Sequence, residues 1–328
     1  MHLYTLATMA DLNVTFAGLA LTSPLIVEFR DEIPPPGLAT EIAEAGAGAL
    51  LLPPLNEARL EWSEDESELT EHNRSDAAIR ENDRMRRSIN RDAYLDKVRG
   101  LSSSVSVPVI AALQSTRRSQ WLNFARMMTD AGAGAVELHP ISEPAWRSSR
   151  SDRIDKEILR TASSVATRLD TSVIVRLVAA PYGLQALVQG LGESDVKAIV
   201  LSESAYLSTI DTDTSTTDSR SVGGRRGDAA HMNALAALQL LYRRVSPHLA
   251  AFVPPDRSAA LTESILAGAT LTVLPVQSGG DDDVPAIVAE YLNSLRGWMR
   301  RKGFSSLFDF RGSLSDSRRS SSLENRPK

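Results

Sequence analysis

In the stretch "GAVELHPI", Glu137 and His139 stand two residues apart. If that stretch is a strand, both side chains lie on one face. An imidazole titrates near neutral pH, so His139 could serve as a general acid or base. Arg176, in "VRLVAAPY", carries a planar guanidinium fork suited to a carboxylate. Glu28, Arg30, Glu203 and Asp256 each follow or close another apolar run. Together these residues read in two ways. One is a polar site with His139 as acid/base, Arg176 as anion clamp, and Glu28 and Glu203 as partners. The other is an ion-pair network, because buried charges have to be paired.

Other chemistries find less support. The chain has no cysteine, which excludes disulfides, thiolate metal sites and a cysteine nucleophile. His2, His72, His231 and His248 show no metal-ligand spacing. "SVGGRRGD" (221–228) lacks the Lys-Ser/Thr of a phosphate loop and reads as a linker.

These residues need elements to hold them. One local pattern recurs three times: "EAGAGALLLPPL" from Glu44, "DAGAGAVELHPI" from Asp130 and "LAGATLTVLPVQ" from Leu266. Each reads as a helix end, a glycine cap and an apolar strand closed by proline. Strands are expected at 23–29, 48–52, 107–113, 134–138, 172–177, 197–201, 249–253 and 270–274. Helical patterns are expected at about 37–45, 90–103, 118–131, 152–169, 182–191, 229–245, 257–267 and 283–302. Asp256 or Ser258 is the expected N-cap of the seventh of these helices.

Eight alternating β–α units predict an α/β fold, a (β/α)8 barrel. The competing doubly wound sheet wants a Gly-rich turn after strand 1, and none is present. Residues 10–22 alternate around Ala17-Gly18 and predict a hairpin plugging the barrel's bottom. Insertions at 54–89 and 203–228 fall at the barrel mouth and read as lids or surface loops. One domain over 1–311 and a disordered Ser/Arg-rich tail over 312–328 complete the organisation.

The 328 residues are 42% hydrophobic and carry a net charge of −5. That balance argues against nucleic acid and anionic membranes as partners. No apolar run reaches the roughly 20 residues of a membrane span, and no signal peptide is evident, so a cytoplasmic protein is expected.

Four stretches resemble the dihydroorotate dehydrogenase family, most closely its bacterial "dihydroorotate dehydrogenase-like" members. They are "LNVTFAGLALTSPLIV", "AGAGALLLPPLNEARLE", "PVIAALQSTRRSQWLNFARMMTDAGAGAVEL" and "LNSLRGWMRRKGFSSLFDFRGSLS". The resemblance implies an FMN oxidoreductase of pyrimidine synthesis, and a homodimer. It also places the family's site on this chain. Glu28-Phe29-Arg30 stands for the small-residue turn against the flavin, Pro53 for a flavin-proximal Lys, and His139 for a substrate Asn. Ser142 stands for the catalytic base, Arg176 for a flavin-contacting Lys, and Glu203 for an Asn. Val253-Pro254 replaces the Gly-Gly that holds the FMN phosphate, and Pro275-Val276 replaces the Gly-Thr or Gly-Ser that completes the cup.

Proline has no N–H, so Pro254, Pro255 and Pro275 remove three possible phosphate donors. A family member with a degraded FMN site is therefore expected, with a structural, regulatory or small-anion-binding role. The alternatives are an active FMN oxidoreductase with an altered cup, and a flavin-free enzyme using His139, Glu137 and Arg176.

Overall fold

The computed structural model of the chain describes residues 10–56, 91–115, 118–140, 151–179, 184–202, 206–211, 216–221, 227–280 and 282–315. Two short strands, β1 (Val14–Phe16) and β2 (Leu19–Leu21), pair as an antiparallel hairpin. Eight parallel strands then alternate with helices. They are β3 (Leu25–Phe29), β4 (Ala49–Asn56), β5 (Val109–Gln114), β6 (Ala135–Leu138), β7 (Ser172–Val178), β8 (Ala198–Ser202), β11 (His248–Phe252) and β12 (Leu271–Val276). They close in the order β11-β12-β3-β4-β5-β6-β7-β8. The helices are α1 (Pro36–Glu44), α2 (Arg91–Ser104), α3 (Arg118–Asp130), α4 (Ser151–Ala166), α5 (Leu184–Gly192), α6 (Gly227–Leu241), α7 (Ala259–Ala267) and α8 (Val284–Lys302). The fold is the expected (β/α)8 barrel.

Helices cover the outside and side chains fill the inside, so the strands are apolar along most of their length. All five residues of β3 and all six of β12 are buried. The repeated glycine pattern has a single cause. Gly46, Gly132 and Gly268 have φ of 106°, 98° and 120°, a region that glycine enters without a Cβ penalty. The alanine after each donates back to the helix it has just left: Ala47 to Ile42 O (3.3 Å), Ala133 to Met128 O (3.1 Å) and Ala269 to Ser264 O (2.9 Å). This is the helix stop that aims the chain into the next strand.

Pro140 follows the end of β6 as expected, but the prolines of the other two copies do not close their strands. Pro53 and Pro54 lie inside β4, whose register with β5 shifts between Leu51 and Pro54. A bulge leaves a ladder position where a missing N–H does little harm. Pro275 likewise sits within β12, opposite Glu28 of β3.

The 203–228 insertion, expected as a lid or a surface loop, is not devoid of regular structure. It contains β9 (Tyr206–Asp211) and β10 (Thr216–Ser221), paired antiparallel. Its threonine-rich segments suit extended backbone. The tail does not begin at 312 either. Gly312 N donates to Ile265 O (2.8 Å) and Leu314 N to Leu266 O (3.0 Å), which ties residues through Ser315 onto α7. Residues 57–89 of the first insertion and 316–328 of the tail lie outside the described residues.

The β1–β2 hairpin covers the N-terminal end of the barrel. Ala17 and Gly18 form its turn with φ of 48° and 78°, as a two-residue hairpin with the native twist requires. Ala17 N donates to His248 Nδ1 (3.1 Å) at the start of β11. No described helix is long and apolar enough to cross a membrane.

Candidate active site at the barrel mouth

The strands deliver Glu28, Glu137, Arg176 and Phe252 to the C-terminal end of the barrel, the face where such folds carry their chemistry. Arg176 is the centre. Its Nη1 donates to Glu28 Oε1 (2.6 Å) and its Nε to Glu137 Oε1 (2.5 Å). Arg30 Nε donates to Glu28 Oε2 (3.2 Å). His139 follows β6 directly, with its N–H on Leu113 O (2.8 Å), and its Nε2 lies 2.7 Å from Glu137 Oε1. The expectation that Glu137 and His139 share a face holds. A carboxylate can only accept, so His139 Nε2 carries the proton and Nδ1 is left as an acceptor.

Both carboxylates are buried, Glu28 at 2% and Glu137 at 1% exposure. Burial works against the Glu137 charge, but Arg176 and His139 outweigh it and hold its carboxyl below the usual value of 4.5. Burial, helped by Arg176, pushes His139 below 6.5, against the pull of Glu137 and Glu28. His139 is therefore neutral at pH 7. Burial disfavours the Arg176 charge, yet the two carboxylates outweigh it and raise its pKa above the ordinary guanidinium value. Among the described residues, the cluster thus pairs two carboxylates with two guanidiniums beside a neutral ring, and is charge-balanced.

The Phe252 ring supports both cations, with Arg176 at 4.7 Å and Arg30 at 5.1 Å from its centroid. Such stacking adds about 0.5–2 kcal/mol per contact. Arg176 Nη2 is buried with no hydrogen-bond partner among the described residues.

The positions where the resemblance puts a phosphate are occupied differently. Val253 N donates to Val273 O (3.0 Å), inside the barrel ladder. Pro254 is buried, and its carbonyl accepts from the hydroxyl of Tyr291 on α8. After β12, Ser278 N (2.9 Å) and Gly279 N (3.4 Å) both donate to the Asp31 carboxylate. Burial would raise the Asp31 pKa, but these N–H groups, with those of Glu32 and Asp31 itself, hold it below 3.8. Asp31 sits in that backbone concavity as a bound anion would.

Asp256 is exposed and stands outside the network. Ser258 takes the N-cap position of α7 but makes no side-chain cap bond. Ser142 and Glu203 lie outside the described residues, so their expected roles are not placed. Sequence reasoning missed Phe252, Asp31 and Tyr291. Phe252 was legible as the last aromatic of "LAAFV" at a strand end. Asp31 and Tyr291 gave no local signal, since each acts on a backbone group nearly 250 or about 40 positions away along the chain. A second cluster was also missed. The buried His231 pairs through Nε2 with Glu263 Oε2 (3.0 Å), and Arg257 meets Glu263 Oε1 (2.7 Å).

No family model matches the chain, and no curated protein matches it. The geometry of the barrel mouth is therefore what bears on function.

Proposed function

We propose that this chain is a flavin-free derivative of the dihydroorotate dehydrogenase-like barrels. In this reading its mouth is a structural, ligand-responsive ion-pair network and not a redox centre. The observation that carries the reading is the commitment of Arg176 to both Glu28 and Glu137. A guanidinium held on two sides by buried carboxylates is not free to face a flavin, and removing it would leave those charges unpaired.

The phosphate end supports the same reading. A phosphate there needs backbone donors. Val253 N is used in the sheet, Pro254, Pro255 and Pro275 have no N–H, and Ser278 and Gly279 N–H groups already hold Asp31. An incoming phosphate would meet the Asp31 carboxylate. The residues present do not fit FMN, and no step is derived through it. Among the described residues, Arg176 Nη2 is a buried donor left without a partner, and it suits one small anionic group.

Titrating the protein into FMN, and separately into acetate, tests this reading. Flavin fluorescence is expected to stay unquenched by the wild type, while acetate shifts the His139 ring signals. Saturable quenching of FMN would overturn it.

A second reading has its own observation. His139 is neutral, oriented by Glu137, and has Nδ1 open as an acceptor, the arrangement of a general base. It predicts a turnover whose pH profile changes in His139→Gln. An activity indifferent to that substitution would rule it out.

A further inference from the structure

The opposite end of the barrel carries a cleft of about 270 Å³. That is room for roughly nine waters at about 30 Å³ each, and so for a ligand of several heavy atoms. Its polar walls are Gly18, Gly192, Ser194, Lys197, Ser246 and His248. The barrel ladder sets two of them side by side, because His248 N donates to Lys197 O (3.0 Å).

The chemistry of the lining is one-sided. Ser194 Oγ is already committed, donating to Leu191 O (2.6 Å) and accepting from Val196 N (3.4 Å). Lys197 brings an exposed ammonium and Ser246 an exposed hydroxyl. His248 has its tautomer set by the hairpin. Ala17 N donates to its Nδ1, so Nε2 carries the ring proton and acts as a donor. Burial, then the nearby Arg311, keeps that ring below its ordinary pKa of 6.5. Among the described residues, no carboxylate lines the cleft. Glu193 and Asp195 alternate in sequence with its residues, yet both are exposed and stand outside it.

The walls are shaped by glycine. A Cβ on Gly192 would come within 3.1 Å of Pro247, and Gly18 sits at φ of 78° in the hairpin turn. The geometry points to a binding site for a small oxyanion at the barrel floor, held by Lys197 and the His248 Nε2–H, with the β1–β2 hairpin as one wall. A ligand there would lie against the hairpin turn and join it to β8 and β11.

The test is a titration of the full chain with inorganic phosphate at constant ionic strength, followed through the histidine ring signals. The chain has five histidines, and His248→Gln assigns the relevant one. The His248 signal is expected to shift saturably, with half-saturation at or below about 1 mM. Lys197→Gln is expected to weaken binding about tenfold, the scale of one charge-assisted hydrogen bond. Lys156→Gln removes the same charge from an exposed position on α4 and is expected to change nothing. A linear drift without saturation, or equal loss in both lysine variants, would overturn the site. A shift confined to His139 would place the anion at the mouth and would overturn it too.

Discussion

Arg176→Met strips the mouth of its central cation while keeping most of the side-chain volume. In the native structure Arg176 bridges Glu28 and Glu137, which are 2% and 1% exposed. Removing one partner from a buried ion pair costs about 3–5 kcal/mol, because the remaining charge has no compensation. Two features place the loss near the lower end of that range. Arg30 still faces Glu28, and His139 can take up a proton to offset Glu137.

The pH dependence has a definite sign. In the wild type the folded Glu137 pKa lies below 4.5, so its contribution is complete above the unfolded value and is lost as pH falls through the folded pKa. In Arg176→Met, the burial of Glu137 is no longer outweighed, and its folded pKa rises. The variant's deficit is therefore largest at neutral pH and narrows below about pH 5, as both states become protonated. Urea unfolding followed by circular dichroism, at pH 7 and pH 4.5, measures this directly. Exchanging Glu28, Glu137 and Arg176 together for Leu, Leu and Met is expected to cost less than Arg176→Met alone. A loss below about 1 kcal/mol at pH 7 would put the bridge in the class of exposed pairs and refute the reasoning.

Three other substitutions probe the frame. In Gly312→Ala a Cβ would fall 2.1 Å from Tyr242 Cε1 at a φ of 68°, on a ring anchored through its hydroxyl to Arg311 O. Overpacking and left-handed strain together predict a loss of about 2–4 kcal/mol in urea unfolding. His248→Ala leaves the buried Ala17 N–H without an acceptor, a cost of about 1–3 kcal/mol read as a lower midpoint. Arg243 is exposed at a φ of 62°. Arg243→Gly relieves that strain and is expected to raise stability by about 0.5–1 kcal/mol in the same assay.

The barrel was legible because its signals are local and repeated. Each of Gly46, Gly132 and Gly268 ends a helix in the left-handed region, and that need can be read one junction at a time. The apolar strands follow from burial on both faces. Pro53, Pro54 and Pro275 misled because their effect depends on a partner strand. Pro53 and Pro54 are tolerated by a bulge that only the β4–β5 register creates. The 206–221 hairpin was hidden for a related reason, since its polar composition resembles a loop and only pairing distinguishes the two.

At the mouth, the alternation along β6 was enough to group Glu137 with His139. The convergence of Glu28, Arg176 and Phe252 needed barrel closure, which joins strands far apart in sequence. Asp31 occupies its backbone donors from 247 positions away, at Ser278. Nothing local announces such a contact.

The central claim is that the mouth has exchanged flavin for ion pairs. The measurement that meets it most directly is an absorbance scan of the purified protein, repeated after incubation with excess FMN and desalting. The account predicts no flavin bands in either scan. Bands retained through desalting at close to one FMN per chain would contradict it, and would mean that Asp31 and the Glu28–Arg176–Glu137 bridge yield to the cofactor.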